Sequence, residues 1–172
     1  QRFDLFADPL EPFLKMNLDT VISFNVLEHI EDDVGAFQRL CDLLRRSEAP
    51  GPKRLIAFVP AHAWAYGSLD QTFGHFRRYS AARLRQIAQE VAPEAKFSSR
   101  YFNVFGLGGW IVNGRILRKK NFGLGAVRAF EALCPILRPV DDFLHHAMRL
   151  PMGKSVYMVL ERPSGPSRVE SK

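Results

Sequence analysis

Two apolar runs dominate this chain, TVISF at residues 20–24 and LIAFV at 55–59. Both are continuous rather than alternating and carry β-branched residues, the pattern of strands covered on both faces in a parallel sheet. Between them Phe37, Leu40, Cys41 and Leu44 recur at i, i+3, i+4 and i+7, an amphipathic helical stripe that Asp32 or Asp33 can cap. Strand, helix, strand in that order is a βαβ unit, and 20–25 and 54–59 are expected as parallel neighbours.

The same alternation continues on both sides. Residues 1–7 read as a short strand stopped at Pro9, and SEAPGPK ends the first long helix. Residues 61–79 read as a loop rich in aromatic side chains: Trp64, Tyr66, Phe73, Phe76 and Tyr79. Ser80 caps a helix with Leu84, Ile87, Ala88 and Val91 on its buried face. AKFSSRYF is a further strand, and the apolar stretch 104–117 runs into the basic RILRKK. Two helical stripes follow, Phe130, Leu133, Cys134, Leu137 and then Val140, Phe143, Leu144, Ala147. KSVYMVLER is the last strand, and 163–172 is a polar tail expected to be disordered. The reading is therefore an α/β chain with a mostly parallel, Rossmann-like sheet and helices on both faces. In such sheets ligands bind beyond the carboxyl ends of the strands, where Asp8, Asn25 to His29 and the loop after Pro60 would meet.

At 172 residues the chain can bury a sizeable core, and 47% hydrophobic with 24% charged residues is ordinary globular composition. No apolar run reaches the roughly 18 residues that a membrane span requires. QRFDLFADPLEP lacks the pattern of a secretory leader, and Cys41 and Cys134 both fall on apolar helical faces. Two buried thiols point to a reducing compartment, hence a cytoplasmic location. The net charge of +6 is unevenly spread: residues 1–50 hold five Lys/Arg against ten Asp/Glu, and residues 51–172 nineteen against eight. The basic second part suits an anionic partner or a solvated surface. Nucleic acid is not expected, because the aromatics cluster in one loop and no nucleic-acid motif occurs.

DTVISFNVLEHIEDD followed by LIAFVPAHAWAYGSLDQTFGHFRRYS resembles the class I S-adenosylmethionine-dependent methyltransferases. The resemblance covers Asp19 to about Leu160, and it implies that KSVYMVLER is an antiparallel strand inserted beside its parallel neighbours. It also implies a glycine-rich cofactor loop upstream, so that Gln1 stands near the family's third strand and the domain is N-terminally truncated. Residues 1–162 would be a partial methyltransferase domain, with 104–150 as its substrate lid.

By the same resemblance, Asp8 corresponds to the acidic residue that accepts from the adenine amine, and Phe24 and Asn25 line S-adenosylmethionine beside the sulfonium. LEH also occurs in the ubiquinone-pathway O-methyltransferases. In the small-RNA 2′-O-methyltransferases it belongs to a Glu-x-x-Glu-His metal site, whose first Glu is here Asn25. Three readings stand open. Glu28, His29 and His75 hold a divalent ion such as Mg, His29 acts as the general base, or the two neighbours only brace the 61–79 loop. Arg77 and Arg78 could bind a phosphate or carboxylate, or pair with the acidic first part, while His62 and Trp64 could line the acceptor pocket.

The expected activity is methyl transfer to oxygen on a small-molecule or lipid-linked acceptor. The basic end of 104–120 adds peripheral contact with the inner face of the membrane. The alternative is a catalytically inactive truncated domain that serves as a basic membrane- or partner-binding module. Oligomeric state does not follow from the sequence.

Overall fold

A computed structural model describes residues 5–121 and 123–162. In chain order the elements are α1 (Glu11–Leu14), β1 (Thr20–Phe24), α2 (Asp33–Arg46), β2 (Lys53–Pro60), α3 (Ser68–Thr72) and α4 (Ala81–Val91). They continue as β3 (Lys96–Phe102), α5 (Val104–Trp110), a π-helical extension of α5 over Ile111–Ile116, α6 (Leu124–His146) and β4 (Ser155–Arg162). The strands form one sheet in the order β1-β2-β4-β3. β1 lies parallel to β2 with Val21 opposite Leu55 and Phe24 opposite Phe58. β4 is antiparallel to both of its neighbours, so β1, β2 and β3 all run the same way. The α/β reading, the parallel pair and the inserted antiparallel strand are all present.

One face of the sheet explains most of the core. Leu55, Ala57 and Val59 alternate with Val156, Met158 and Leu160 across the β2–β4 ladder, and all six are buried. They pack against Phe37, Cys41 and Leu44 of α2 and against Leu84, Ile87, Ala88 and Val91 of α4. Full burial of side chains such as Phe37 or Leu84 contributes about 1.5–3 kcal/mol each. Local caps fix where these helices start. Asp32 accepts from the Gly35 amide at 2.9 Å, and Ser80 from the Arg83 amide at 3.1 Å.

The other face differs from expectation. There α6 meets β3, where Arg100 donates to His146 at 2.9 Å. Ile22 and Phe24 of β1 remain 65% and 61% exposed, so this strand is covered on one face and not on two. Its apolar run, read alone, gave the wrong inference.

Several other expectations change. Residues 5–7 form a turn, not a strand, and residues 1–4 lie outside the described residues, as does the tail at 163–172. Leu5 packs on the core, but a run this short holds no ladder without a neighbouring strand. The segment 61–79 is not all loop: it holds a 3-10 turn at Ala63–Ala65 and the short α3. The two stripes between 130 and 147 belong to a single 23-residue helix, α6, with Pro135 and Pro139 inside it. Both prolines are exposed. Cys41 is buried, which pushes its thiol up to about 11, whereas Cys134 is only half-buried. No helix among the described residues is long and apolar enough to cross a membrane.

Candidate active-site crevice

The three parallel strands end on one side of the sheet, and a crevice of about 480 Å³ opens there. Phe24 and Asn25 come from the end of β1, Phe58 and Pro60 from β2, Phe102 and Asn103 from β3, and Lys154 and Ser155 from the start of β4. Its floor is a row of rings: Phe24 stacks on Phe58 at 4.2 Å, and Phe58 meets Phe102 at 4.6 Å. Asn25 takes a left-handed backbone (φ 51) while its amide still donates to the Phe58 carbonyl at 2.9 Å. Asparagine tolerates that conformation, and the turn it makes lifts the chain off the sheet into the 3-10 turn Leu27–His29.

That turn supplies Glu28 and His29, and the segment after α3 is laid directly against it. The Phe76 amide donates to the Glu28 carbonyl at 2.8 Å, and His29 Nδ1 donates to the Gly74 carbonyl at 3.2 Å. His75 thereby reaches His29, with ring centroids 4.8 Å apart and edge to face. One ligand-type atom from each of Glu28, His29 and His75 lies within 4.8 Å of the others. The two imidazoles are also oriented. His29 Nδ1 faces a carbonyl, and His75 Nδ1 faces the Asp70 carboxylate at 2.8 Å. Both partners only accept, so each Nδ1 carries a proton and each Nε2 is the nitrogen turned away from these bonds.

Glu28 is 1% exposed, and its Oε2 has no hydrogen-bond partner among the described residues. Burial pushes its carboxyl above the usual range, partly offset by its own backbone amide and by His75, His29 and Arg78. A buried carboxylate oxygen left unpaired beside two oriented imidazoles fits a divalent ion chemically.

The far wall is a different construction. Asp70, wholly buried, accepts from Arg78 Nε at 2.7 Å, His75 Nδ1 at 2.8 Å, Gly67 N at 2.9 Å and Trp110 Nε1 at 3.1 Å. Burial alone would raise its carboxyl. The His75 hydrogen bond and the Arg78 charge reverse that and bring it below the ordinary range. Arg78 lies over the Trp110 ring at 4.5 Å and donates to the Ala61 carbonyl at 2.9 Å. Gly67 is required here: a Cβ on it would sit 2.6 Å from the Gly114 carbonyl oxygen of the π-helical segment.

Phe24, Asn25, Glu28, His29 and His75 thus all line one crevice. Asp8 is not among its lining residues; its carbonyl accepts from Arg39 Nη2 at 2.8 Å on the α2 side. His62 and Trp64 do not line it either. The His62 ring is stacked on Tyr101 at 4.9 Å, its Nε2 accepts from the Gly153 amide at 3.3 Å, and burial holds its pKa down. The arginine pair divides its work. Arg77 reaches the acidic first part, 3.3 Å from Asp33, with bonds to the Ile30 and Glu31 carbonyls, while Arg78 serves Asp70.

Sequence reasoning missed Asp70, Trp110 and Lys154. Only Asp70 had a local signal, three residues after Gly67 at the start of α3, the spacing of a side chain that caps its own helix.

No protein-family model and no curated protein matches the chain. Among solved structures, it is similar to a SAM-dependent methyltransferase from Archaeoglobus fulgidus, with 13% identity and a TM-score of 0.45, over 90% of this chain and 66% of that one. It is also similar to Haemonchus contortus phosphoethanolamine N-methyltransferase 2 in complex with S-adenosyl-L-methionine, with 13% identity and a TM-score of 0.43. A second structure of that enzyme, with phosphomonomethylethanolamine and S-adenosylhomocysteine, gives 14% and 0.39. The chain spans 66% of the first protein and 34% of the other two.

Proposed function

We propose that this chain is the acceptor-side part of an S-adenosylmethionine-dependent methyltransferase that transfers methyl to an oxygen of a small or lipid-linked acceptor. The observation that carries the reading is the convergence of Glu28, His29 and His75 at the strand-end crevice, on the motif whose family resemblance led to it. Residues 1–162 are taken as its partial domain and 104–150 as its lid.

S-adenosylmethionine supplies an electrophilic methyl on a positively charged sulfonium. The exposed ring of Phe24, stacked on Phe58, offers that cation an electron-rich face, and Asn25 closes the same edge. Asp8, implied by the resemblance as the adenine contact, stands outside the crevice lining and is assigned no step. Bound there, S-adenosylmethionine would give its methyl to the acceptor oxygen and be left as S-adenosylhomocysteine. Most of the acceleration comes from holding the two reactants aligned. The proton lost by the acceptor hydroxyl passes to His29, whose Nε2 lone pair is kept free by the bond from Nδ1 to Gly74.

In the alternative arrangement His29 gives its Nε2 to a divalent ion such as Mg, held with Glu28 and His75, and is then not the base; the ion would lower the pKa of a bound hydroxyl. The unpaired Oε2 of Glu28 favours this arrangement, and the two imidazoles suit a transition-metal ion better than Mg.

The experiment is a transfer assay with methyl-labelled S-adenosylmethionine and a panel of hydroxyl and amine acceptors, alongside S-adenosylhomocysteine titration. Loss of transfer on chelation supports the metal arrangement. A His29→Ala loss of roughly 10²–10⁴-fold that chelator does not reproduce supports the base alone. Activity indifferent to both leaves Glu28 and His29 as architecture. Failure to bind S-adenosylhomocysteine by a protein that also carries the upstream cofactor loop implied by the resemblance removes the enzyme reading in favour of a binding module.

A further inference from the structure

The crevice does not end at Trp110. A second cavity of about 270 Å³ runs between α5 and the start of α6, lined by Gly106, Gly109, Ala126, Val127 and Phe130, and it shares Asn103, Trp110 and Lys154 with the crevice. Lys154 therefore stands at the junction of two spaces, with its ammonium 5.1 Å from the centroid of the Trp110 ring. It forms no ion pair among the described residues. Asp70, the acid that acts on its charge, already accepts four hydrogen bonds. Arg78, also over Trp110, is neutralised by Asp70, so the positive charge at the junction is that of Lys154, and the junction opens into an apolar groove.

The groove is roomy for a specific reason. Gly109 lines it, and a Cβ built there meets nothing within 4 Å. A ligand filling both spaces must put charge at Lys154 and hydrocarbon between α5 and α6.

We propose that this junction is a subsite for an anionic amphiphile, whose phosphate or carboxylate is held by Lys154 and whose apolar chain lies in the α5–α6 groove. The inference rests on the methyl-transfer reading only in calling this ligand the acceptor; the binding itself does not need it. An unpaired ammonium beside Trp110 gains a charge-assisted contact that a neutral head group cannot supply. The groove removes the attached hydrocarbon from water.

Octyl phosphate, octanol and inorganic phosphate, each titrated calorimetrically into the full chain, separate the parts. Octyl phosphate is expected to bind at least about tenfold more tightly than either of the others. Lys154→Met should erase the preference over octanol, and Lys154→Arg should restore it. Gly109→Leu, which has space for its side chain, should erase the preference over inorganic phosphate. Octyl carboxylate in place of octyl phosphate tells which anion is favoured; either one supports the subsite. Melting curves check that each variant is folded. Equal binding of octanol and octyl phosphate by the parent overturns the proposal, and so does a preference that survives Lys154→Met. S-adenosylhomocysteine titrated in parallel reports on the methyl-transfer reading, so the two can fail separately.

Discussion

Glu28 lines the crevice and Asp70 sits behind its lining residues His75, Arg78 and Trp110; both are at most 1% exposed, and the protein treats them in opposite ways. Asp70 is surrounded by donors from α3, the following loop and α5, and its carboxyl is held below the ordinary range. Glu28 receives no donor at Oε2, and burial raises it. A fully saturated carboxylate is a structural knot. A buried carboxylate with an open oxygen costs stability unless something else completes it, and such a cost is usual where a ligand binds. His75 links the two, since its Nδ1 is spent on Asp70 while its ring faces His29.

Asp70→Asn tests the first half of the contrast and should have the largest effect. It leaves the Arg78 guanidinium buried without its counter-charge, a loss of about 3–5 kcal/mol for a broken buried pair. The pH dependence has a definite sign. A carboxyl depressed by folding stabilises above its unfolded pKa, and that contribution disappears as pH falls through the folded value. The parent and Asp70→Asn melting curves should therefore converge in acid. A variant that melts like the parent at neutral pH would show that the four hydrogen bonds are not a stabilising unit.

Glu28→Gln tests the second half, and the sign reverses. A carboxyl raised by folding is favourable in its protonated form below the unfolded pKa, and that advantage is lost as pH rises through the folded value. With chelator present, Glu28→Gln should raise stability at neutral and mildly alkaline pH by about 1 kcal/mol and by nothing in acid. Adding a divalent ion should stabilise the parent and not the variant. Destabilisation at every pH would mean that Glu28 is as well partnered as Asp70, and the comparison would collapse.

The contrast also separates what was legible in the sequence from what was not. Glu28 and His29 were singled out by the family resemblance, whereas the capping residues Asp32 and Ser80 could be read because each acts within a few positions of itself, at a helix start. The βαβ unit was legible for the same reason, as the period of its apolar residues is local. The Asp70 knot assembles Gly67, His75, Arg78 and Trp110, and Trp110 arrives from beyond β3, so no window of sequence contains it. The antiparallel position of β4 came from family resemblance, and the observed register matches it.

The smallest stability effect is expected at His29, and its smallness is the point. The ring is exposed and makes one side-chain hydrogen bond, at 3.2 Å to Gly74, so His29→Ala should change the melting free energy by no more than about 0.5 kcal/mol. His75→Ala, which removes one of the four donors to Asp70, should cost more, about 1–2 kcal/mol. If His29 serves ligand chemistry and His75 serves both that and the knot, divalent-ion binding should weaken in both variants, while only His75→Ala loses stability. Calorimetric ion titration and chemical denaturation of the same three proteins measure both quantities. A His29→Ala variant that binds the ion as the parent does, or that loses as much stability as His75→Ala, would place His29 with the knot and leave Glu28 without its partner.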